Sequence, residues 1–170
     1  MKIVFMGTPD FSIPSLKILL TGKHKILAVV TQPDKARGRG QKVLFTPVKE
    51  FAVENSIPVY QPEKIKGNEE FVEQMKALQP DLFVVVAFRI LPKEVFEIPK
   101  FGSFNLHGSY LPKYRGAAPI QWALINGETE TGLTTFKLAE KVDTGTIYLQ
   151  QKLEIFPEDN FETLHDRMSE

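Results

Sequence analysis

Two stretches of the chain carry residues able to move protons and stabilise developing charge. The first is Asn105-Leu106-His107-Gly108-Ser109. Side chains alternate between faces along an extended strand, so Asn105 and His107 fall on the same face. An amide donor for an oxyanion, next to an imidazole that gives or takes a proton, makes a workable catalytic pair. The plainer alternative is a pair of satisfied polar groups at a strand end. The second stretch is Lys141-Val142-Asp143-Thr144-Gly145, a turn by composition. Asp143 either braces that turn or reaches His107 and orients its ring. The other histidines, His24 between two lysines and His165 in a polar terminal segment, are expected to be inert.

Between these stretches lies Tyr110-Leu111-Pro112-Lys113-Tyr114-Arg115-Gly116-Ala117-Ala118-Pro119. A long loop beside a candidate histidine is where substrate-binding residues gather, although Lys113 and Arg115 also fit as solvated surface charge. Other chemistries lack support. Neither G-x-G-x-x-G nor G-x-x-x-x-G-K-[ST] is present, so no motif supports dinucleotide or nucleoside triphosphate binding. The chain has no cysteine, which removes disulfides and thiolate nucleophiles. No histidine pair stands at ligand spacing, so no metal is expected. Ser109 is outside any G-x-S-x-G elbow.

Charge is spread unevenly. Residues 1–50 hold nine Lys/Arg against three Asp/Glu, whereas the 170-residue chain as a whole is neutral. A basic N-terminal third favours an anionic partner, unless the asymmetry averages out in three dimensions. The basic residues concentrate in the Gly/Pro-rich loop expected over 31–47, at Lys35, Arg37, Arg39 and Lys42.

The elements that position these groups follow from the apolar pattern. Residues 2–6 read as a buried strand stopped by Gly7-Thr8-Pro9, and 26–30 as a second. Between them runs a helix with Ser12 as its cap, Pro14 in its first turn and Gly22 at its end. Helices are expected at 47–55, 68–78, 93–96, 119–126 and 161–169. Strands are expected at 59–60, 82–87, 103–106, 131–138 and 145–153, the last two antiparallel. Alternating strands and helices give an α/β fold, a mostly parallel sheet flanked by helices, with ligands beyond the strands' carboxyl ends. The loops after Met6, Ala87 and Leu106 are expected on that edge. No apolar run approaches the ~20 residues of a membrane helix, and no secretory signal opens the chain. The expectation is a cytoplasmic monomer with no membrane partner.

The segment FNLHGSYLPKYRGAAPIQWAL, with the downstream Asp143-Thr144-Gly145, resembles the signature of the 10-formyltetrahydrofolate-dependent formyltransferases. The resemblance runs from Met1 to about Ile155 and implies a Rossmann-like formyltransferase fold. It also implies Asn105, His107 and Asp143 as the catalytic trio and 10-formyltetrahydrofolate as co-substrate. Carried over by position, the folate would meet Phe88, Ile90, Leu91, Ser109, Tyr110, Leu111, Pro112 and Val142. MKIVFMGTPDFSIPSLKILL and VTQPDKARGRGQKVLFTPVKEFA resemble the methionyl-tRNA branch. That implies initiator methionyl-tRNA as partner, gripped by Lys35, Arg37, Arg39 and Lys42, and a C-terminal tRNA-binding domain beyond residue 170. Two departures stand out. Ala87-Phe88-Arg89-Ile90-Leu91-Pro92 is one residue shorter than the family's loop and lacks its glycine, and Tyr110 replaces a more usual Leu.

Overall fold

Residues 3–6 carry apolar side chains toward both faces, so the strand they belong to must be covered on both sides. In the computed structural model, which describes residues 1–37 and 42–170, this is β1 (Lys2–Gly7). Helix α1 (Ile13–Thr21) leads to β2 (Lys25–Val30), then β3 (Lys35–Arg37) and β4 (Lys42–Leu44). Next come α2 (Pro47–Glu54), β5 (Val59–Tyr60), α3 (Glu69–Ala77), β6 (Leu82–Val86) and α4 (Lys93–Phe96). The chain continues through β7 (Ser103–His107), α5 (Pro119–Ile125), β8 (Glu130–Lys137), β9 (Ile147–Glu154) and α6 (Phe161–Ser169). It divides into two compact units, Met1–Ser103 and Phe104–Glu170.

The first unit is built on strands in the order β5-β2-β1-β6, every neighbouring pair parallel. Parallel pairing follows from the strand-helix-strand succession, because two strands joined through a helix run the same way. Its core is apolar: Val4, Phe5, Met6, Val29, Phe83 and Val86 are fully buried. Thr46 and Asn68 cap α2 and α3 by accepting from the backbone N–H of Lys49 and Phe71. In the second unit β7, β8 and β9 form an antiparallel meander, as expected for the last two strands. An Asn160–Thr163 capping box starts α6. Among the described residues no helix is long and apolar enough to cross a membrane.

Two expectations change. Ser12 occupies the cap position of α1 but makes no capping bond. Its buried hydroxyl donates instead to the Val86 carbonyl at 2.9 Å, joining the segment after β1 to the end of β6. A Cβ on Gly7 would lie 2.7 Å from that hydroxyl, so glycine is needed for the close approach. The segment 31–47 is not a plain loop. Lys35, Ala36 and Arg37 pair antiparallel with Leu44, Val43 and Lys42. With only three residues a side and no apolar alternation, these strands leave no periodic signal. Their roots are clamped: the Thr31 and Thr46 hydroxyls share a 2.8 Å bond, and the Asp34 carboxylate pairs with the Lys49 ammonium. Gln61 Nε2 donates to Asp34 Oδ1 and to the Gln32 carbonyl, both at 2.8 Å. Burial would raise the Asp34 pKa, but the bonds from Lys49 and Gln61 outweigh it and hold the carboxyl below its ordinary value.

Candidate active site

Strand β7 extends one residue further than the apolar pattern indicates, so His107 is its last residue and Asn105 lies two before it. They stand opposite Thr134 and Phe136 of β8, and the two-residue period puts both on one face. His107 is 7% exposed and meets the Phe136 ring edge-on, with centroids 6.5 Å apart. Its Nε2 lies 2.8 Å from the Tyr114 carbonyl oxygen. A carbonyl only accepts, so Nε2 carries the hydrogen, which leaves Nδ1 as the ring nitrogen open to gain or lose a proton. Nδ1 faces Asp143 Oδ2 at 3.7 Å. Among the described residues nothing engages the half-buried Asn105 amide.

Asp143 is held from both sides. Its Oδ2 accepts the Gly116 N–H at 2.7 Å, and its carbonyl accepts from Arg115 Nε at 3.0 Å. Its φ of 52° is left-handed, a region that Asp tolerates better than most residues. The turn reaches the histidine because Gly145 lies flat on β8. A Cβ there would fall 1.6 Å from the Lys137 carbonyl oxygen. The Lys137 N–H donates to Thr146 O at 2.9 Å and closes the turn.

The loop between β7 and α5 is pinned by residues that sequence reasoning missed. The buried Thr134 hydroxyl donates to the Ser109 carbonyl at 2.7 Å and accepts the Leu111 N–H at 3.1 Å. Gln150 Nε2 donates to Leu111 O and to Thr134 Oγ1. The Ser109 hydroxyl donates to Lys113 O at 2.6 Å. Glu128 accepts from the Tyr114 hydroxyl at 2.7 Å and from Lys113 Nζ at 3.0 Å, and Asn126 donates to the same hydroxyl. The Tyr114 hydroxyl, then Lys113, holds the Glu128 carboxyl below the ordinary carboxylate range. Tyr114, Gly116 and Ala118 have φ of 55°, 87° and 57°. Thr134 of β8 pairs with His107 of β7, which a strand register would have revealed; Glu128 and Gln150 leave no mark in the sequence.

Asn105, His107, Asp143, Ser109, Tyr110, Leu111, Pro112 and Val142 all belong to the second unit. Ser109 and Leu111 are buried there and Val142 is exposed. Tyr110 packs on Gly132, with the Lys152 ammonium 5.3 Å from its ring. Phe88, Ile90 and Leu91 belong to the first unit, where Ile90 is exposed and Leu91 buried. The shortened, glycine-free loop is held there by Arg89, which donates to the carbonyls of Pro62 and Glu63 at 2.6 and 2.8 Å. Ala87 takes a φ of 48° in it, and burial lowers the Arg89 pKa. Lys35, Arg37 and Lys42 lie on β3 and β4; Arg39 lies outside the described residues. Among the described residues no group of three or more His, Asp or Glu could hold a metal ion.

An imidazole facing a carboxylate, with a free amide on the same strand, suits acyl transfer through an oxyanion, and relatives of the chain carry that chemistry in their names. The chain is 52% identical over 99% of its length to a methionyl-tRNA formyltransferase of Caldanaerobacter subterraneus, and 54% identical over 99% to one of Clostridioides difficile. It spans about half the length of these curated relatives, 55% and 54%. Among solved structures it matches phosphoribosylglycinamide formyltransferase from Bacillus halodurans with a TM-score of 0.81 at 23% identity, covering 99% of this chain and 87% of that one. It also matches a sugar 3N-formyl transferase solved in the presence of dTDP and 5-N-formyl-THF, with a TM-score of 0.69 at 25% identity, covering 99% and 57%. These structural likenesses establish the Rossmann-like fold. The family model for formyl transferases matches residues 1–170, and the chain belongs to the formyl transferase family.

Proposed function

We propose that the chain carries the catalytic site of a methionyl-tRNA formyltransferase. The reaction moves a formyl group from N10 of 10-formyltetrahydrofolate to the α-amino group of methionine on initiator tRNA. The bond from N10 to the formyl carbon breaks, a bond from that carbon to the amine forms, and one amine proton ends on N10. The observation that carries the reading is the His107–Asp143 pair, 3.7 Å apart, beside the unengaged Asn105 amide.

Each residue has a defined task. Asn105 donates a hydrogen bond to the oxygen of the tetrahedral centre; one such donor is typically worth about 3 kcal/mol. His107, with Nε2 committed to Tyr114, works through Nδ1. Protonated, Nδ1 shares the oxyanion; neutral, it accepts the proton of the attacking amine. Asp143 orients the ring and sits opposite any proton that Nδ1 holds. No covalent enzyme intermediate and no metal is needed. The folate donor would be held by residues of the loops at 109–112 and 141–145 of the second unit.

The β3–β4 hairpin bears the acceptor side of the proposal. Lys35, Arg37, Arg39 and Lys42 would neutralise tRNA phosphates, which gives affinity that falls steeply with salt. The rival reading, a formyltransferase acting on an amino sugar, is supported by the likeness to the sugar 3N-formyl transferase and has no use for the basic hairpin.

The test is formyl transfer from labelled 10-formyltetrahydrofolate to charged initiator tRNA and to amino-sugar nucleotides. Transfer to tRNA is expected, with turnover lowered at least ~100-fold by Asn105→Ala, His107→Ala or Asp143→Ala. Neutralising Arg37 and Arg39 should flatten the salt dependence. Transfer to the sugar alone, or a near-normal single-turnover rate in a folded trio variant, refutes the assignment concerned.

A further inference from the structure

The ring of His107 can serve catalysis only if the correct nitrogen is free, and what decides this is the Tyr114 carbonyl. That carbonyl points at Nε2 because Tyr114 is left-handed, with φ of 55°. A bulky residue keeps this conformation only where neighbours impose it. The neighbours here are identifiable. The Tyr114 hydroxyl donates to Glu128 Oε1 at 2.7 Å and accepts from Asn126 Nδ2 at 3.0 Å. Glu128 also takes both contacts of the preceding Lys113 ammonium, at 3.0 and 3.1 Å. On the other flank, the Gly116 N–H and the Arg115 guanidinium are bound by Asp143. Residues 113–116 are therefore stretched between two carboxylates, and the carbonyl that fixes His107 lies between them.

We infer that Glu128 is a positioning residue for the reaction: by holding Lys113 and Tyr114 it aims the Tyr114 carbonyl at His107 Nε2 and keeps Nδ1 as the exchanging nitrogen. Glu128 has no contact with His107 and acts entirely through the backbone. It is the residue just after Gly127, which ends α5 with φ of 64°, so a helix terminus sets its place. Releasing it frees Tyr114 to leave the left-handed region. The ring is then free to populate the other tautomer, in which Nδ1 carries the hydrogen and cannot accept one.

The inference rests on the catalytic role of His107 proposed above, and one pair of measurements separates the two. Nitrogen chemical shifts of the His107 ring, in 15N-histidine-labelled protein, report which nitrogen bears hydrogen without reference to any substrate. The wild-type protein should show Nε2–H in its neutral form. Tyr114→Phe, which removes only the hydroxyl, and Glu128→Ala should both mix in the Nδ1–H form. They should lower kcat about tenfold with little change in KM for the folate donor, and shift the pH profile of kcat. Glu128→Gln keeps an acceptor for the hydroxyl and should restore the wild-type ring shifts and most of the turnover. Unchanged ring shifts in folded Tyr114→Phe or Glu128→Ala overturn the positioning role. Altered shifts with unchanged kcat leave Glu128 as the residue that aims the ring but refute catalysis by His107.

Discussion

Replacing Gly145 with Ala should damage catalysis through a residue that touches no substrate. The added methyl would sit 1.6 Å from the Lys137 carbonyl oxygen, and real Cβ contacts essentially never fall below 3.0 Å. The obstacle is strand backbone, which cannot swing away, so the turn must retreat by about 1.4 Å. Asp143 stands two residues earlier and travels with the turn. Carried directly away from His107, its Oδ2 would pass from 3.7 Å to about 5 Å. At an effective dielectric near 20, the attraction between the charged partners falls by roughly 1 kcal/mol, close to fivefold in rate if it is felt only in the transition state. A displacement of about 1 Å at a catalytic group can cost ~100-fold through lost orientation. The expected single-turnover rate is therefore ten- to a hundredfold below wild type, roughly, for transfer from 10-formyltetrahydrofolate to methionyl-tRNA. Strain of this kind lowers stability by about 1–3 kcal/mol, a few degrees in Tm for a chain of this size. A variant that folds, keeps its Tm within a degree or so and turns over within twofold of wild type would show that the turn does not hold Asp143 in register with His107.

Two further outcomes follow from the hydrogen-bond network. Thr134→Val leaves the Ser109 carbonyl and the Leu111 N–H without their shared partner. It should cost about 1–3 kcal/mol by urea unfolding and speed amide exchange across 109–112. Asp34→Asn tests the hairpin clamp. The folded pKa of Asp34 lies below its ordinary value of 3.8, so its stabilisation is fully present above that value and is lost as pH falls through the lower folded one. The variant should therefore be about 1 kcal/mol less stable at neutral pH, and the difference should shrink below about pH 4; a gap independent of pH would refute the ion pair.

The sequence makes the buried strands legible because parallel strands covered on both faces are continuous apolar runs; the runs at 2–6 and 82–87 announce β1 and β6 to within a residue. Strand alternation likewise places Asn105 beside His107. Other features depend on contacts that no local pattern encodes. Ser12 looks like a cap and instead bonds Val86, 74 residues away. The β3–β4 hairpin is too short and too polar for its period to be read. Thr134, Gln150 and Glu128 look like ordinary strand and turn residues, because their task appears only once three segments converge on the loop at 109–118. The reach of Asp143 to His107 depends on Gly145 lying against β8, a matter of clearance and not of composition.

All three groups proposed for the chemistry, and every side chain that braces them in the described network, lie after residue 103, while the basic hairpin lies before it. On the proposed reading, choice of acceptor and execution of the transfer are written into different units of one chain. A lineage could exchange the N-terminal hairpin for another recognition element without retuning the imidazole, its carboxylate or its amide. Formyl transfer to different acceptors would then be variations on one reaction chamber, each fitted with its own docking device.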